Sequence, residues 1–595
     1  MTRSPSRVDL RIDAYETIAF ETANHLPRET GGILLGYQEN STIVVTQALV
    51  VEGQGATTNR YVRDDIRADE LLQKFLEERV DDDPTGYVGE WHSHPSPSGP
   101  SAIDHAAMRA TAKVSSNPIT LLVFAPGATG RFFGLIAQRQ RFGKTTTKEA
   151  VVSVPPSRFP PLGPLPDGAV RGDGPVFISY RQSDGTAQAD ALEDLLRAAG
   201  LVVWRDHTDL RPGTTTDRLE QALTRGLSAG VLVVTSDIAH SDIVRERELP
   251  RLLQLDADPN FSLCIANTVT RVSKELKCDY DAPDRLLRLA PARTLADKKQ
   301  SNMRQPSGEV EIVRDLLMHR IEQRKPIIRK EGRDLTIRVQ SRPASSALDA
   351  DEEDLHIRLK PSDDGRLPFR GGLELLQKTL PLTSDAVYAS GAKSVRVSGG
   401  AHLSVGLAVG AALPETKNGR LIVVDPEDNA WTSSAPDDDP QNAELTVERT
   451  QIEQDQAAGL KHRVAIFVTL TPHGDRSAFE QLVNDSADGF DAAEIISLGS
   501  AERIDPREAA RLSAAIAQQI KELSASQGRA EVHLAFHGPS TMALLIGRYL
   551  NTLRTVVYEW DGNRKDEPHY KPVLVLEPSV TGGPITDVFP QGLAR

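Results

Sequence analysis

The sequence predicts a multidomain α/β protein, and three observations lead there. Strand-like and helix-like patterns alternate at short spacing between Gly174 and Leu253. The segment Val395–Leu413 recurs without a gap as Val532–Leu550. A proline-rich run sets the first part of the chain apart from the rest. A chain of 595 residues is too long for one core, so roughly three or four domains are expected. The formal charge of −14 argues against a general DNA or RNA binder and leaves room for a local basic pocket. Two cysteines, Cys264 and Cys278, supply neither a disulfide framework nor a zinc cluster. With no signal-like start and no long apolar run, the expectation is a soluble, cytoplasmic protein without a membrane partner.

Residues 1–154 form the first expected domain. Glu29-Thr30-Gly31-Gly32 precedes the apolar run Ile33–Gly36, read as a strand, and Ile43–Val51 reads as another. Asp69–Arg79 carries a helical pattern. Val88–Pro95 then brings in His92 and His94. At i and i+2 on a strand they share one face, so both imidazoles can reach one ion. Ser101 and Asp104 follow a Pro/Ser/Gly loop and open a helix. Alone, this Ser-x-x-Asp is a capping box. Together with the histidines, Asp104 completes an N/O set suited to Zn2+ with one position left for water. The ion acidifies that water and polarises a scissile carbonyl. Glu29 is placed to take the water's proton if its strand lies beside the histidine strand, and Ser101 to donate to the tetrahedral oxyanion. Glu29, His92, His94, Ser101 and Asp104 together resemble the JAMM motif of JAB/MPN metallopeptidases, with no element missing. The resemblance implies an α+β domain that uses Zn2+ to hydrolyse peptide or isopeptide bonds after the C-terminus of ubiquitin or a ubiquitin-like protein.

Residues 155–173 are rich in Pro and Gly and read as a semi-rigid extended linker. Residues 174–325 follow. Val176–Tyr180, Leu201–Trp204 and Val231–Val234 are read as strands. Ala187–Ala199, Asp217–Leu227 and a segment starting near Ser241 are read as helices, with Gly200 ending the first. The alternation gives right-handed βαβ units and a parallel sheet, with ligands beyond the carboxyl ends of its strands. Phe177–Arg181, Gly200–Asp206, Leu210–Gly213 and Ser241–Pro250 resemble a bacterial TIR domain of flavodoxin-like fold. That resemblance implies cleavage of NAD+ between ribose and nicotinamide. The leaving group is already cationic, so a carboxylate that stabilises an oxocarbenium-like ribose suffices. Glu248 is favoured for that role, because Glu248-Leu249 matches the family's Glu-Leu pair, and Glu246 is held in reserve. The family's Trp is missing from this stretch; Ile243 or Val244 stands in its place. Tyr180, Arg181, Trp204 and Asp209 are the expected NAD-binding residues. The loop Asp209–Thr216 is expected to complete the pocket of a second copy.

The basic run Arg324–Lys330 reads as a solvated hinge, with the domain boundary near Pro326. Residues 326–595 then divide into halves of about 326–445 and 446–595. Each repeat copy is a short strand, a Gly-containing turn and an apolar helix, followed by another strand and a Trp (Trp431, Trp560). A strand–Gly turn–helix offers an anion seat, and two related by pseudo-twofold symmetry would hold two phosphates of one cyclic ligand. Asp505, Pro506 and Glu508 mark the start of a further helix, and Gly528 its end. Gly399–Ser404, Gly410, Trp431, Phe536–Pro539, Gly547 and Tyr558–Trp560 resemble a SAVED domain, a fusion of two CARF/Rossmann-like halves. The resemblance implies binding of a cyclic oligonucleotide, commonly a trinucleotide. Gly399, Gly400, His402, His537, Gly538 and Ser540 are the expected contacts. The acidic loops Asp349–Asp354 and Asp437–Asp439 read as solvated surface.

These readings combine into a bacterial antiphage effector of the CBASS type. A cyclic oligonucleotide on SAVED drives self-association through TIR and SAVED and turns on NAD+ cleavage. The zinc peptidase acts on a ubiquitin-like conjugate or another partner, and a CD-NTase is a candidate companion. The competing reading makes the JAMM isopeptidase the nucleotide-regulated output, with the TIR unit only an assembly scaffold.

Overall fold

The computed structural model describes residues 5–53, 57, 61–78, 84–96, 98–126, 131–140, 143–154, 162–205, 215–238, 241, 243–271, 277–287, 294–343, 353–362, 365–434, 445–452, 462–472, 474–486, 489–498, 503–562 and 569–590. It is a multidomain α/β structure. Its contacts group into two units, Met1–Pro161 with Asp281–Asp297, and Leu162–Tyr280 with Lys298–Arg595. No helix among the described residues is long and apolar enough to cross a membrane. Cys264 and Cys278 are free, buried thiols, and burial pushes the Cys264 thiol up to about 12.

In the first unit, β1 (Arg7–Leu10), α1 (Ile12–His25), β2 (Gly31–Glu39), β3 (Thr42–Val51), α2 (Asp65–Glu78), β4 (Gly86–Ser93), α3 (Ala102–Val114), β5 (Ile119–Ala125), β6 (Arg131–Arg139) and β7 (Thr145–Ser153) follow one another. The strands close into a barrel in the order β1-β3-β2-β4-β5-β6-β7. The central strands bury nearly every residue, as the apolar run at Ile33 foretold, and Trp91 is 1% exposed in the core. Strands β2 and β4 run antiparallel with Gly31 opposite His92. That register places the segment entering β2 beside the histidines.

In the second unit, β8 (Val176–Ser179), α4 (Gln182–Ala198), β9 (Val203–Trp204), α5 (Thr215–Thr224), β10 (Ala229–Val234), α6 (Leu249–Leu255) and β11 (Ser262–Asn267) come first. In the chain, α7 (Ala282–Leu287) then precedes β12 (Gln300–Asn302) and α8 (Pro306–Glu331). The strands form a parallel sheet in the order β12-β11-β10-β8-β9. Its second strand is shorter than expected, with only Val203 and Trp204 paired. The chain goes from β8 to β9 on one side and returns to β10 on the other, so the topological switch point lies between β8 and β10. The helix expected near Ser241 begins instead with a single π turn, Val244–Glu248, in which Leu249 N–H donates to Val244 O. Such turns recur at functional sites.

Two expected linkers turn out to be packed structure over their described parts; residues 155–161 lie outside the described residues. Residues 162–173 dock on this sheet region: Arg251 donates to Gly163 O at 2.9 Å, Ala169 is buried, and Val170 bridges Leu227. The basic run 324–330 is no hinge, because α8 continues through Pro326 and buries Ile328 beyond it. Arg320, 2% exposed, donates to Gly174 O, and Arg324 pairs with Asp173 at 3.1 Å and Asp354 at 2.6 Å. These anchors outweigh the hydrogen bond the helix loses at proline. Asp354 is therefore not solvated surface. It is fully buried and also accepts from Arg333 and from the backbone and hydroxyl of Thr336. Residues 349–352 and 437–439 of the acidic loops lie outside the described residues.

Two further sheets complete the unit. The first is built from β13 (Leu335–Gln340), β14 (Leu355–Arg358), β15 (Ser394–Ser398), β16 (Arg420–Val424) and β17 (Ala430–Thr432), with α9 (Arg370–Ser390), α10 (Leu403–Ala412) and α11 (Glu415–Asn418). The second is built from β18 (Leu445–Gln451), β19 (Arg463–Thr469), β20 (Ala492–Leu498), β21 (Glu531–His537), β22 (Thr555–Asp561), β23 (His569–Leu576) and β24 (Ile585–Val588), with α12 (Arg476–Asn484), α13 (Ala509–Ser526) and α14 (Ser540–Gly547). Their orders are β14-β13-β15-β16-β17 and β18-β20-β19-β21-β22-β23-β24, so β14-β13-β15-β16 of one matches β20-β19-β21-β22 of the other. Helices α10 and α14 cross at the pseudo-twofold axis. A Cβ on Gly410 would meet Leu544 O at 2.0 Å, and one on Gly547 would meet Leu407 O at 2.2 Å. The alignment that pairs Val395 with Val532 also pairs these glycines and these leucines, so the repeat is a reciprocal helix contact that needs bare backbone on both sides.

Candidate functional site

The barrel assembles the first site from three segments. His92 and His94 come from the end of β4 and the residue beyond it, and Asp104 from the first turn of α3. His92 Nε2 lies 3.1 Å from His94 Nε2 and 3.6 Å from Asp104 Oδ1, and the three donor atoms all fall within 4.8 Å of one another. Two ligand atoms about 2.0 Å from a tetrahedral ion stand roughly 3.3 Å apart, so this donor set fits Zn2+. Burial pushes His92 down to about 4, which keeps its imidazole neutral and able to ligate. His94 Nδ1 faces Ser98 O and Oγ, both at 2.9 Å; a proton on Nδ1 leaves the Nε2 lone pair for a metal.

Ser101 and Asp104 do form the capping box: Ser101 N–H donates to Asp104 Oδ2 at 2.5 Å, and Asp104 N–H to Ser101 Oγ at 3.3 Å. The box and the ligand role are compatible, because it holds one carboxylate oxygen and turns the other toward His92. Glu29 is 7% exposed, and the β2–β4 register sets it opposite His94. Burial raises its pKa, while His94 and the Tyr61 backbone N–H pull it back. The sequence reading missed Tyr61. Its ring fills the space over Gly31 that a Cβ would occupy, at 2.5 Å, and its backbone N–H reaches the Glu29 carboxylate.

At the parallel sheet, Ser179 Oγ, at the carboxyl end of β8, donates to Glu248 Oε2 at 2.5 Å. Both residues are buried, and the π turn brings Glu248 to the switch-point edge. Glu246 is half-buried on the same turn. Arg181 pairs with Asp184 at 3.4 Å and with Asp237, beyond β10, at 3.6 Å, so it spans the crevice mouth. Tyr180 plays a different part from the one expected. It is 6% exposed, its hydroxyl accepts from Arg205 at 3.0 Å, and the guanidinium lies 4.7 Å from its ring centre. Arg205 is in turn held by Glu193 at 2.7 Å and by Asp190. Tyr180 thus supports a buried ion cluster rather than facing a cleft. Trp204 is half-buried, and Asp209 with the loop through 214 lies outside the described residues.

The two glycine turns face one cavity of about 700 Å³. Gly399, Gly400, His537, Gly538 and Ser540 all line it. His402 does not. It is fully buried, with Nδ1 at 2.9 Å from Ser341 Oγ and Nε2 at 3.2 Å from Gly365 O, and so it braces the turn from behind. The sequence reading missed Arg342 and Arg366, which add positive charge to the wall, and singled out Trp560 only as a repeat marker; it is 46% exposed and lines the cavity. Exposed aromatic faces beside cationic groups suit nucleobase stacking and phosphate neutralisation.

Comparison with known proteins agrees with this three-part architecture. Family models match residues 11–136 (Prok-JAB, prokaryotic homologs of the JAB domain), 176–270 (TIR domain) and 376–576 (SAVED, the SMODS-associated and fused to various effectors sensor domain). The chain is a fusion of JAB, TIR and SAVED domains. It is 31% identical over 163 residues to the NAD(+) hydrolase PdTIR of Paracoccus denitrificans, a match covering 27% of this chain and 48% of that protein. This chain therefore spans about half the length of that curated relative. Among solved structures, the Acinetobacter baumannii Cap4 SAVED/CARF-domain receptor with the cyclic trinucleotide 2′3′3′-cAAA shares 10% identity at a TM-score of 0.33, over 74% of this chain and 90% of that one. The same receptor with 3′3′3′-cAAA gives 12% identity and a TM-score of 0.33, over 67% and 88%. Protein DSY2949 of Desulfitobacterium hafniense gives 16% identity and a TM-score of 0.20, over 25% and 92%.

Proposed function

We propose that this chain is an antiphage defence effector. A cyclic oligonucleotide, commonly a trinucleotide, binds the cavity between the glycine turns and drives self-association through the TIR and SAVED regions. Assembly turns on cleavage of NAD+ to nicotinamide and ADP-ribose products. The N-terminal site hydrolyses a peptide or isopeptide bond on a ubiquitin-like conjugate or a partner protein.

The observation that carries this reading is the Ser179–Glu248 pair at the switch point of the parallel sheet. It sits in a chain related to an enzyme named as an NAD hydrolase. Glu248 stabilises positive charge at the ribose as nicotinamide leaves, and Ser179 fixes the carboxylate's direction. At the N-terminal site, bound Zn2+ supplies an acidified water and a Lewis acid for the carbonyl. Glu29 takes the proton from the attacking water and passes it to the leaving amine. Ser101 keeps Asp104 oriented and sits where its hydroxyl can meet the oxyanion.

The test is NAD+ hydrolysis by the full chain, with and without cyclic di-, tri- and tetranucleotides, beside Glu248→Gln and Glu246→Gln. Ligand-dependent turnover that Glu248→Gln silences supports the reading. Binding of a cyclic nucleotide without turnover at any concentration overturns it. The second reading, a nucleotide-regulated JAMM isopeptidase with TIR as scaffold, is favoured by the donor set being assembled within the first unit itself. It predicts toxicity that His92→Ala removes and Glu248→Gln leaves.

A further inference from the structure

Among the described residues, the wall of the ligand cavity carries a single acid, Glu559, beside Arg342, Arg366 and His537. A ligand built on phosphates gains from the cations and loses against a carboxylate, so this acid calls for a reason. One role is plain. Glu559 comes from β22, is 4% exposed, and its Oε1 accepts from the backbone N–H and the hydroxyl of Ser404, in the first turn of α10, each at 2.7 Å. The carboxylate therefore caps a helix of the opposite half.

The repeat shows that the fold does not require that cap. At α14 the residue before the helix, Pro539, gives no side-chain cap, and among the described residues no carboxylate accepts from the helix's first turn. Strand register pairs Val395 with Leu421 and Val532 with Thr555, which makes Asp425 the counterpart of Glu559. Asp425 turns into its own loop instead, accepting from Glu427 N–H, Asn429 N–H and Trp431 Nε1, and it is not on the cavity wall. Glu559 also keeps acceptor capacity. An ionised carboxylate has about four acceptor sites, and the protein supplies Ser404 N–H, Ser404 Oγ and Leu403 N–H. Arg342 acts on it through space and forms no ion pair with it among the described residues. The next residue, Trp560, is 46% exposed on the same wall. Its Nε1 donates to Asp475 Oδ2 at 3.3 Å, and the bare backbone of Gly562 lies against the ring, where a Cβ would meet the indole at 2.1 Å. The indole is thus held in place with much of its surface open to the cavity.

We propose that Glu559 and Trp560 form a base-reading subsite, in which the indole stacks on a nucleobase and the carboxylate accepts from that base's exocyclic amino group, so that the cavity selects adenine, guanine or cytosine over the keto bases hypoxanthine and uracil. This rests on the ligand class proposed above. Stacking holds any base, because every base has a π face. Selection comes from the carboxylate: an amino group offers it a proton, whereas a keto oxygen in the same place faces it with none between them.

The experiment titrates the full chain with cyclic di-, tri- and tetranucleotides of a single base each: adenine, guanine, cytosine, hypoxanthine and uracil. Adenine and guanine rings are compared with the hypoxanthine ring of the same size, and cytosine with uracil. In the ring size that binds, wild type should hold an amino base at least about tenfold tighter than its keto counterpart. Glu559→Gln keeps an oxygen for Ser404 and brings an amide that can donate to a keto group, so the ratio should shrink to within about threefold. Trp560→Ala should weaken both members of a pair alike, by about tenfold or more, and leave the ratio standing. Ser404→Ala separates the cap from the reader: it should lower the melting temperature of the unliganded protein without changing the ratio. The wild-type comparison needs no variant, so it decides even if Glu559→Gln folds poorly. Equal affinity within every pair, tighter binding of the keto member, or a ratio that survives in Glu559→Gln overturns the subsite and leaves the proposed function intact. If no ring of any base binds wild type, the proposed function falls and the subsite with it.

Discussion

Replacing Asp354 by Asn should destabilise the second unit by about 3 kcal/mol. The carboxylate is fully buried and bonded to Arg324 Nε at 2.6 Å, Arg333 Nη2 at 2.6 Å and Thr336 N–H at 2.9 Å. Asn keeps an acceptor for Thr336 but removes the charge that answers two guanidiniums. Arg333 is 26% exposed and regains water; Arg324 is only 15% exposed and regains little. Breaking one buried pair costs about 3–5 kcal/mol, and solvent access at Arg333 places the loss at the lower end. A loss of that size lowers the melting temperature by roughly 6–12 °C in a domain of ordinary size. Thermal unfolding of the full chain reads it. Arg476→Ala is the control: its pairs with Glu448 and Glu480 lie at the surface and are worth less than about 1 kcal/mol. The pH dependence follows from the same contacts. Burial pushes the Asp354 carboxyl up, but Arg333, Thr336 and Arg324 together hold it below its ordinary value. Its contribution is therefore complete above the unfolded carboxyl's pKa of about 3.9 and is lost as pH falls through the lower folded value. The gap between wild type and Asp354→Asn should stay constant from about pH 7 to 5 and close below about pH 4. A variant melting within about 1 °C of wild type at pH 7 would refute the claim that this carboxylate ties α8 to the sheets around it.

Three other outcomes follow from the geometry. Gly410→Ala should lower the melting temperature, since overpacking against Leu544 O costs about 1–3 kcal/mol and more than offsets a helix-propensity gain of up to about 1; Gly406→Ala, whose Cβ would come no closer than 3.4 Å to a neighbour, Ala543 Cβ, should be neutral or stabilising. Zinc retained after dialysis against a chelator should approach one per chain in wild type and be lost in His94→Ala, while Ser101→Ala, which keeps the backbone N–H that holds Asp104 Oδ2, should leave retention within about threefold. In NAD+ turnover, Ser179→Ala should cost about 10- to 100-fold through the lost hydrogen bond to a charged group, and Glu246→Gln should cost less than about threefold; the reverse order would move the assignment to Glu246.

Periodicity and spacing made the architecture legible, because each element there is specified by residues close in sequence. The histidine pair at the end of β4, the alternating segments after Gly174 and the gapless repeat are all of that kind. The misreadings fall where polar residues find partners far along the chain. Arg324 looks like part of a solvated basic run until Asp173 and Asp354 are brought to it by the fold. His402 looks like a ligand contact until Ser341 and Gly365 claim both its ring nitrogens. Tyr180 sits at a strand end where substrate residues gather, yet its hydroxyl belongs to Arg205. No local pattern encodes such pairs, since each depends on which distant segment the topology delivers.

The repeat offers a way past that limit, because it lets one half act as the control for the other. Gly410 and Gly547 are identical since both helices need bare backbone at the same crossing. Ser404 and Thr541 keep a hydroxyl at the same helical turn, but only one of them is satisfied within the protein. Glu559, in β22, and Asp425, the residue just past β16, are equivalent by register and differ by one methylene. The longer side chain caps the opposite helix, while the shorter one folds into its own turn. A duplicated core is therefore informative where its copies diverge. Shared residues report what the packing of two halves requires, and a one-carbon difference between two acids decides which helix end is capped by a carboxylate from the opposite half.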